Sequence, residues 1–334
     1  MSIAPAARGI AQCAANFSEG ARPEVVEAIV SAASGWPGCV VADWSADPDH
    51  NRLVVTLLGH PRRLEAAVLA AAQEAVRRID LRAHRGAHPR IGAVDVVPFV
   101  PLRGISMAEC AQAAANLGRR LAAEMGLPVY LYEESAAPGR RRSLPDVRRG
   151  GFERLSAEPL SGERAPDFGP MRAHPTAGAV VVGARRPLVA FNVLLDAEDP
   201  RTARAIAHII RAERETHSAL GGVRALGLAL SSRRATQVSM NLTEPDRSPM
   251  PDVYAFVRAH ARALGADVVA SEVIGLVPRC ALGGRAPSVI RWRAYRPHRI
   301  VEYWLDGPGA AALAPTSALA ADRPATCDDA ARAR

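Results

Sequence analysis

The chain has 334 residues, of which 49% are hydrophobic and 23% charged, and a formal net charge of +8. This length is enough for one large or two medium domains with full cores. No apolar run approaches the roughly 20 residues of a membrane span, and no basic patch followed by an apolar stretch marks an export signal, so a cytoplasmic protein without a membrane partner is expected.

There is no lysine, so all 42 basic residues are arginine. That excludes a Walker-type phosphate loop, a Schiff-base lysine and pyridoxal attachment. Alanine, glycine and proline are abundant too, so the arginine reads as coding bias, and no nucleic-acid partner is expected. The five cysteines, Cys13, Cys39, Cys110, Cys280 and Cys327, include no CxxC pair. Neither a disulfide framework nor a structural zinc site is expected.

Hydrophobic periodicity predicts a strand over residues 9–14 and a helix over 23–33 with proline in its first turn. Strands follow over 38–42 and 53–58, joined by a polar link at 43–52. An amphipathic helix covers 61–79 and a buried strand 93–100. A helix over 106–125 and a strand over 129–132 extend this half. Residues 136–175 are rich in Gly, Pro, Ser and Arg and read as a long connection.

The second half repeats the order. It has strands over 179–182 and 188–195, a helix over 200–214, and a strand pair over 223–231 and 236–242 with Arg233 and Arg234 near its turn. A helix over 251–264 and a strand over 267–274 close it. The expected fold class is therefore α+β: two similar βαββαβ-type sub-domains whose mixed sheets carry helices on one face and pack together through the other. The expected divisions are 1–177, 178–305 and a disordered tail at 306–334.

Four segments stand out chemically. In Ala83-His84-Arg85-Gly86-Ala87-His88-Pro89-Arg90, the two histidines have helical zinc spacing, but Gly86 and Pro89 oppose a helix. The segment reads as a loop between a helix and a buried strand, either a reactive loop on a rigid frame or a solvated turn. Asn16-Phe17-Ser18-Glu19-Gly20 either caps the first helix or lines a cleft at a strand end. Residues 166–178 form a Pro/Gly-bounded loop, suited to a flat ligand or to a plain crossing. Arg140, Arg141, Arg142, Arg148 and Arg149 form a basic cluster, either solvated or set to bind carboxylates.

Together these segments resemble the glutamate formimidoyltransferases, including the transferase part of the formimidoyltransferase-cyclodeaminases. The similarity runs in order through Asn16-Phe17-Ser18-Glu19-Gly20, Asn51-Arg52 and Arg85-Gly86-Ala87-His88-Pro89-Arg90-Ile91-Gly92-Ala93-Val94-Asp95. It continues through Pro128-Val129-Tyr130-Leu131-Tyr132-Glu133, Arg142-Ser143-Leu144-Pro145 and Pro166-Asp167-Phe168-Gly169-Pro170. Later segments are Ala190-Phe191-Asn192-Val193, Gln237-Val238-Ser239-Met240-Asn241-Leu242 and Ser271-Glu272-Val273-Ile274-Gly275. In all it spans about residues 10–304.

The resemblance implies a homodimer that moves a formimidoyl group from N-formimidoyl-L-glutamate to tetrahydrofolate in histidine degradation, with no metal. It implies His88 as the general acid/base, with Asn16, Ser18, Glu19, Arg90 and Asp95 in support. It also implies a folate-binding stretch comprising Gly169, Pro170, Met171, Arg172, Ala173, His174, Pro175, Thr176, Ala177 and Gly178. The chain departs from the family pattern at Ala14-Ala15 (Val-Pro), Arg85 (His), Ala87 (Glu) and Ala177 (Trp). Those departures frame the alternatives: a related folate-dependent one-carbon transferase with another acceptor, or a folate-binding protein without turnover.

Overall fold

The structure is a computed structural model that describes residues 9–140, 143–230 and 235–313. The first half opens with β1 (Ile10–Phe17), α1 (Pro23–Ala33), β2 (Cys39–Asp47), β3 (Arg52–Gly59), α2 (Pro61–Arg78) and β4 (Val94–Arg103). Alternation sets the faces. Ala11, Cys13, Ala15 and Phe17 of β1 and Leu53, Val55 and Leu57 of β3 bury against the helices. The intervening Gln12, Asn16, Thr56 and Leu58 turn to the other face and are also buried.

The helices meet the sheet largely through alanine, which lets the elements approach closely. Ala67, Ala71, Ala72 and Ala75 of α2 are fully buried beside Leu64 and Val68. α3 (Met107–Met125) starts on a capping box between Ser106 and Glu109 and ends on Gly126 in the left-handed conformation.

β5 (Val129–Glu133) and β6 (Val180–Ala184) join the sheet in parallel beside β4, giving the order β2-β3-β1-β4-β6-β5. This corrects one sequence expectation. The strand at 179–182, expected to open the second half, closes the first, and the 177/178 division cuts ahead of a strand of the first sheet. All five residues of β6 are buried, as befits an interior parallel strand. A continuous apolar run does not say which sheet it enters.

The expected long connection holds α4 (Leu144–Val147), α5 (Gly151–Ala157) and a 3-10 turn at Gly162–Arg164. Leu155 and Leu160 pack over Val96, Tyr130, Tyr132 and Val181, covering the helix-free face of β4-β6-β5.

The second half comprises β7 (Val189–Leu195), α6 (Pro200–Glu213), β8 (Val223–Leu230), β9 (Ala235–Leu242), α7 (Met250–Ala263) and β10 (Val268–Ile274). Its sheet has the order β10-β7-β9-β8, antiparallel throughout rather than mixed. Reversed, this is β8-β9-β7-β10, the same arrangement as β2-β3-β1-β4, so the βαββαβ repeat is real once it starts at β7.

The first sheet meets the second half through the segment that follows β10. Leu58, on the helix-free face of β3, and Ala42 share a cluster with Leu276 and Val301. A side chain on Gly275, just past β10, would meet Thr56 Oγ1 at 3.1 Å. Arg299 pairs with Asp43 across the junction at 3.2 Å.

Residues 306–313 of the expected tail are folded. α8 (Val301–Leu305) leads into a 3-10 turn at Pro308–Leu313, and Asp306 accepts from Arg103 at 2.6 Å. The rest of that tail, the Arg233–Arg234 turn, and Arg141 and Arg142 lie outside the described residues. Among the described residues no helix is long and apolar enough to cross a membrane.

Candidate functional site

Two loops make the site, and backbone contacts hold them together. β2 runs five residues past its expected end, so the β2–β3 link is a tight turn at 48–51, with Asn51 at φ 47. Asn tolerates that left-handed conformation better than most residues. Its side chain bridges two segments: Oδ1 accepts from the Gly20 amide at 2.9 Å, and Nδ2 donates to the Arg85 carbonyl at 2.8 Å. The Ala87 amide donates to Asp49 O at 3.0 Å. His84 Nε2 lies 2.9 Å from Asn51 O. A side chain on Gly86 would lie 2.4 Å from His50 O, so only glycine permits this approach.

The docked loop sets His88 beside the first residue of β3. Arg52 Nη1 lies 2.6 Å from His88 Nε2. A guanidinium only donates, so Nε2 carries the lone pair and the ring is neutral, with its proton on Nδ1. Burial pushes the His88 imidazole far below its ordinary value, and the positive charges of Arg52 and Arg148 push in the same direction. Burial also lowers the Arg52 guanidinium to about 9, with Arg148 adding to the effect and Asp95 opposing it.

Asp95, at the start of β4, pairs with Arg148, which follows α4; the two side chains are 3% and 11% exposed. The other oxygen of Asp95 accepts from the Ile91 amide at 2.9 Å. On the far side His50 stands edge-on to His88, ring centres 6.4 Å apart, with its Nδ1 3.0 Å from Asp47. The cluster thus joins the β2–β3 turn, the loop before β4, β4 itself and the segment after α4.

The supporting residues expected from sequence take other places. Asp95 reaches His88 only through Arg148. Arg90 points to the opposite side of the loop, bonding Glu153 at 2.9 Å and the carbonyls of Leu81 and His84. Ser18 donates to Gly92 O at 2.7 Å, and Glu19 accepts from the amides of Ala21 and Arg22. Both hold backbone. Asn16 is buried on the helix-free face with Oδ1 unpartnered.

In the 169–178 stretch, Gly169, Met171, Arg172 and Pro175 are exposed, and Pro170, Ala173, His174 and Thr176 half-buried. Ala177 is 1% exposed and belongs to the helix-side core. Gly178, at φ 69, is locked by backbone bonds to His174. The absence of an aromatic ring at 177 therefore alters core volume, not a ligand-facing surface.

Sequence reading did not give His50 a role and placed Arg148 only within a basic cluster. Arg52 was a matched residue without a role. A charged residue at the mouth of an apolar strand was the available signal. Among the described residues no group of three or more His, Cys, Asp or Glu is placed to hold a metal ion.

Two family profiles match the chain. The formiminotransferase domain, N-terminal subdomain, matches residues 10–185, and the formiminotransferase domain matches residues 190–290. The chain belongs to the formiminotransferase family. It is 40% identical to the glutamate formimidoyltransferase of Streptococcus pyogenes over 82% of this chain and 90% of that protein. It is 42% identical to the formimidoyltransferase-cyclodeaminase of Rattus norvegicus over 82% of this chain but 51% of that protein, so it spans about half the length of the bifunctional relative. The glutamate formimidoyltransferase of Thermoplasma acidophilum is 37% identical over 88% of this chain and 96% of the other. A solved ferredoxin protease aligns at 12% identity over 77% of this chain and 33% of the other, with a TM-score of 0.19, and carries no argument.

Proposed function

We propose that this formiminotransferase carries a formimidoyl group from N-formimidoyl-L-glutamate to tetrahydrofolate, with His88 as the proton carrier. The observation that supports this most directly is the neutral His88 ring, with its Nε2 lone pair facing a cationic, half-buried recess. The reaction needs such a group. An acceptor nitrogen adds to the amidine carbon, and the proton it sheds goes to Nε2. As the bond from that carbon to the glutamate nitrogen breaks, the same proton passes to the leaving nitrogen. Atoms and charge balance, and no external acid or base is consumed.

The chain's own residues supply the frame. Asn51 and Gly86 dock the loop that carries His88, and Asp95 with Arg148 anchors its far end at Ile91. Holding both substrates at one carbon contributes a large share of the acceleration. The exposed part of the 169–178 stretch, with Met171 58% exposed and Arg172 beside it, is the proposed contact for the folate. The assembly is proposed to be a homodimer working in the cytoplasm.

The test is an absorbance assay with tetrahydrofolate and N-formimidoyl-L-glutamate, run on the wild type and His88→Ala. Turnover by the wild type and a large loss in the variant are expected. Absence of wild-type turnover with both substrates saturating overturns the reading.

A further inference from the structure

We propose that Arg52 is the receptor for a carboxylate of the formimidoyl donor, and that this carboxylate draws the guanidinium away from His88 Nε2, exposing the lone pair that takes the proton. The inference rests on the donor named above and assigns the subsite that recognises it.

The argument begins with charge. Two guanidiniums, Arg52 and Arg148, and one carboxylate, Asp95, share the recess. Asp95 is committed to Arg148 and to the Ile91 amide. Arg52 forms no ion pair among the described residues, and its Nε is buried without a partner. Nearby acids have bases of their own: Asp47 faces His50, Glu153 faces Arg90, and Glu19 faces Arg22. A half-buried guanidinium with no anion beside it is costly unless a ligand supplies one.

Partner strength gives the direction of the exchange. Arg52 now uses Nη1 on a neutral imidazole nitrogen. A planar guanidinium meets a carboxylate through two parallel charge-assisted bonds, stronger than one bond to a neutral acceptor. A carboxylate entering the recess therefore outcompetes His88 for Arg52. Two effects follow together. The Nε2 lone pair loses its blocking donor, and the new negative charge offsets the positive field that keeps the imidazole weakly basic. The groups facing His88 are Arg52 from β3, Arg148 from the segment after α4, and His50 from the β2–β3 turn, with Asp95 of β4 behind Arg148. Without a donor the base stays covered; with a donor it is released.

The test pairs kinetics with binding. Wild type, Arg52→Gln and Arg52→Lys are assayed with N-formimidoyl-L-glutamate and with its diamide, which carries no carboxylate. The wild type is expected to prefer the acid by about thirtyfold or more in kcat/KM, the range for losing one partner of a buried charge pair. Arg52→Gln should lose that preference while the KM for tetrahydrofolate stays within about twofold, and Arg52→Lys should recover part of it. An unchanged acid-over-diamide preference in Arg52→Gln overturns the proposal while leaving the transfer activity standing.

The second arm needs neither turnover nor a variant. L-Glutamate is titrated into wild-type protein while the ¹⁵N resonance of His88 Nε2 is followed. A saturable shift of Nε2 supports the subsite even if no transfer is found, in which case the functional reading alone fails. Saturable glutamate binding, seen by calorimetry, that leaves Nε2 unmoved overturns the exchange, as does an absence of glutamate binding.

Discussion

Arg52 Nη1 sits 2.6 Å from His88 Nε2, and the two residues reach that contact from different elements, the mouth of β3 and the loop ahead of β4. The contact fixes which imidazole nitrogen carries the lone pair. If His88 moves the proton during transfer, replacing it removes a general acid/base. His88→Ala or His88→Gln should lower kcat by about 10²–10⁴-fold, with thermal unfolding still cooperative. A loss below about fivefold would show that the proton travels by another route.

The pH profile follows from the same geometry. Burial and the two arginines lower the His88 imidazole. The acid limb of kcat/KM, which reports the free enzyme, should lie below the ordinary imidazole value of about 6.5. Arg52→Gln removes one of those charges and should move the limb upward. A limb at the ordinary value in both proteins would contradict the burial of this ring.

Stability should carry a matching signature. Because the folded value of His88 is depressed, the unfolded chain binds the proton first. Its contribution is present above about pH 6.5 and is lost as the pH falls below that. Glu65, raised by burial to about 7, acts in the opposite sense, so the net profile does not isolate the histidine. The difference between wild type and His88→Gln does: it should change by about 1 kcal/mol per pH unit below pH 6. Parallel urea-derived stability curves from pH 8 to 5 would refute this.

Asp95→Asn keeps a carbonyl oxygen for the Ile91 amide but leaves Arg148 without its carboxylate. Breaking a buried ion pair from one side costs about 3 kcal/mol, and urea unfolding should show a loss of that order. Activity should fall too, because a second uncompensated positive charge then faces His88. An unaltered midpoint would mean that solvent already neutralises Arg148.

Two substitutions test the frame behind the site. A side chain on Gly92 would lie 1.8 Å from Ala179 O, so Gly92→Ala should break the backbone bonds between residues 91–93 and 177–179 and give little soluble protein. Gly126→Ala, at φ 64 in open space, should fold with a loss of about 1 kcal/mol. Soluble, fully active Gly92→Ala would show that these segments can part.

Ala177→Trp puts a large ring into the helix-side core, where Ala177 is 1% exposed. Overpacking costs about 1–3 kcal/mol, so the melting temperature should drop with no improvement in folate KM. A lower folate KM at unchanged stability would place residue 177 in the ligand site instead.

Much of the architecture was legible because periodicity is local. α1 was read to its final bounds, and α3, expected over 106–125, runs from Met107 to Met125. The βαββαβ repeat emerged from the same signal. β6 was assigned to the wrong sheet because an all-apolar run carries no record of its neighbours; its pairing with β4 and β5 is a contact between distant residues. The segment at 136–175 looked structureless because its buried residues, Ala136, Phe152, Leu155 and Leu160, are too sparse to show a period, yet Leu155 and Leu160 cover one face of the first sheet.

The sequence by itself determined the fold class and the family, since each rests on residue types in order along the chain. The tertiary structure decided the company His88 keeps. Arg52 lies 36 residues away in sequence and Arg148 is 53 residues from its partner Asp95. No local pattern joins them. They meet because Asn51 and a side-chain-free Gly86 let the β2–β3 turn dock on the loop before β4, and because α4 and α5 fold back over the sheet. The charge balance of the recess, and with it the state of the imidazole, exists only once those segments have closed on one another.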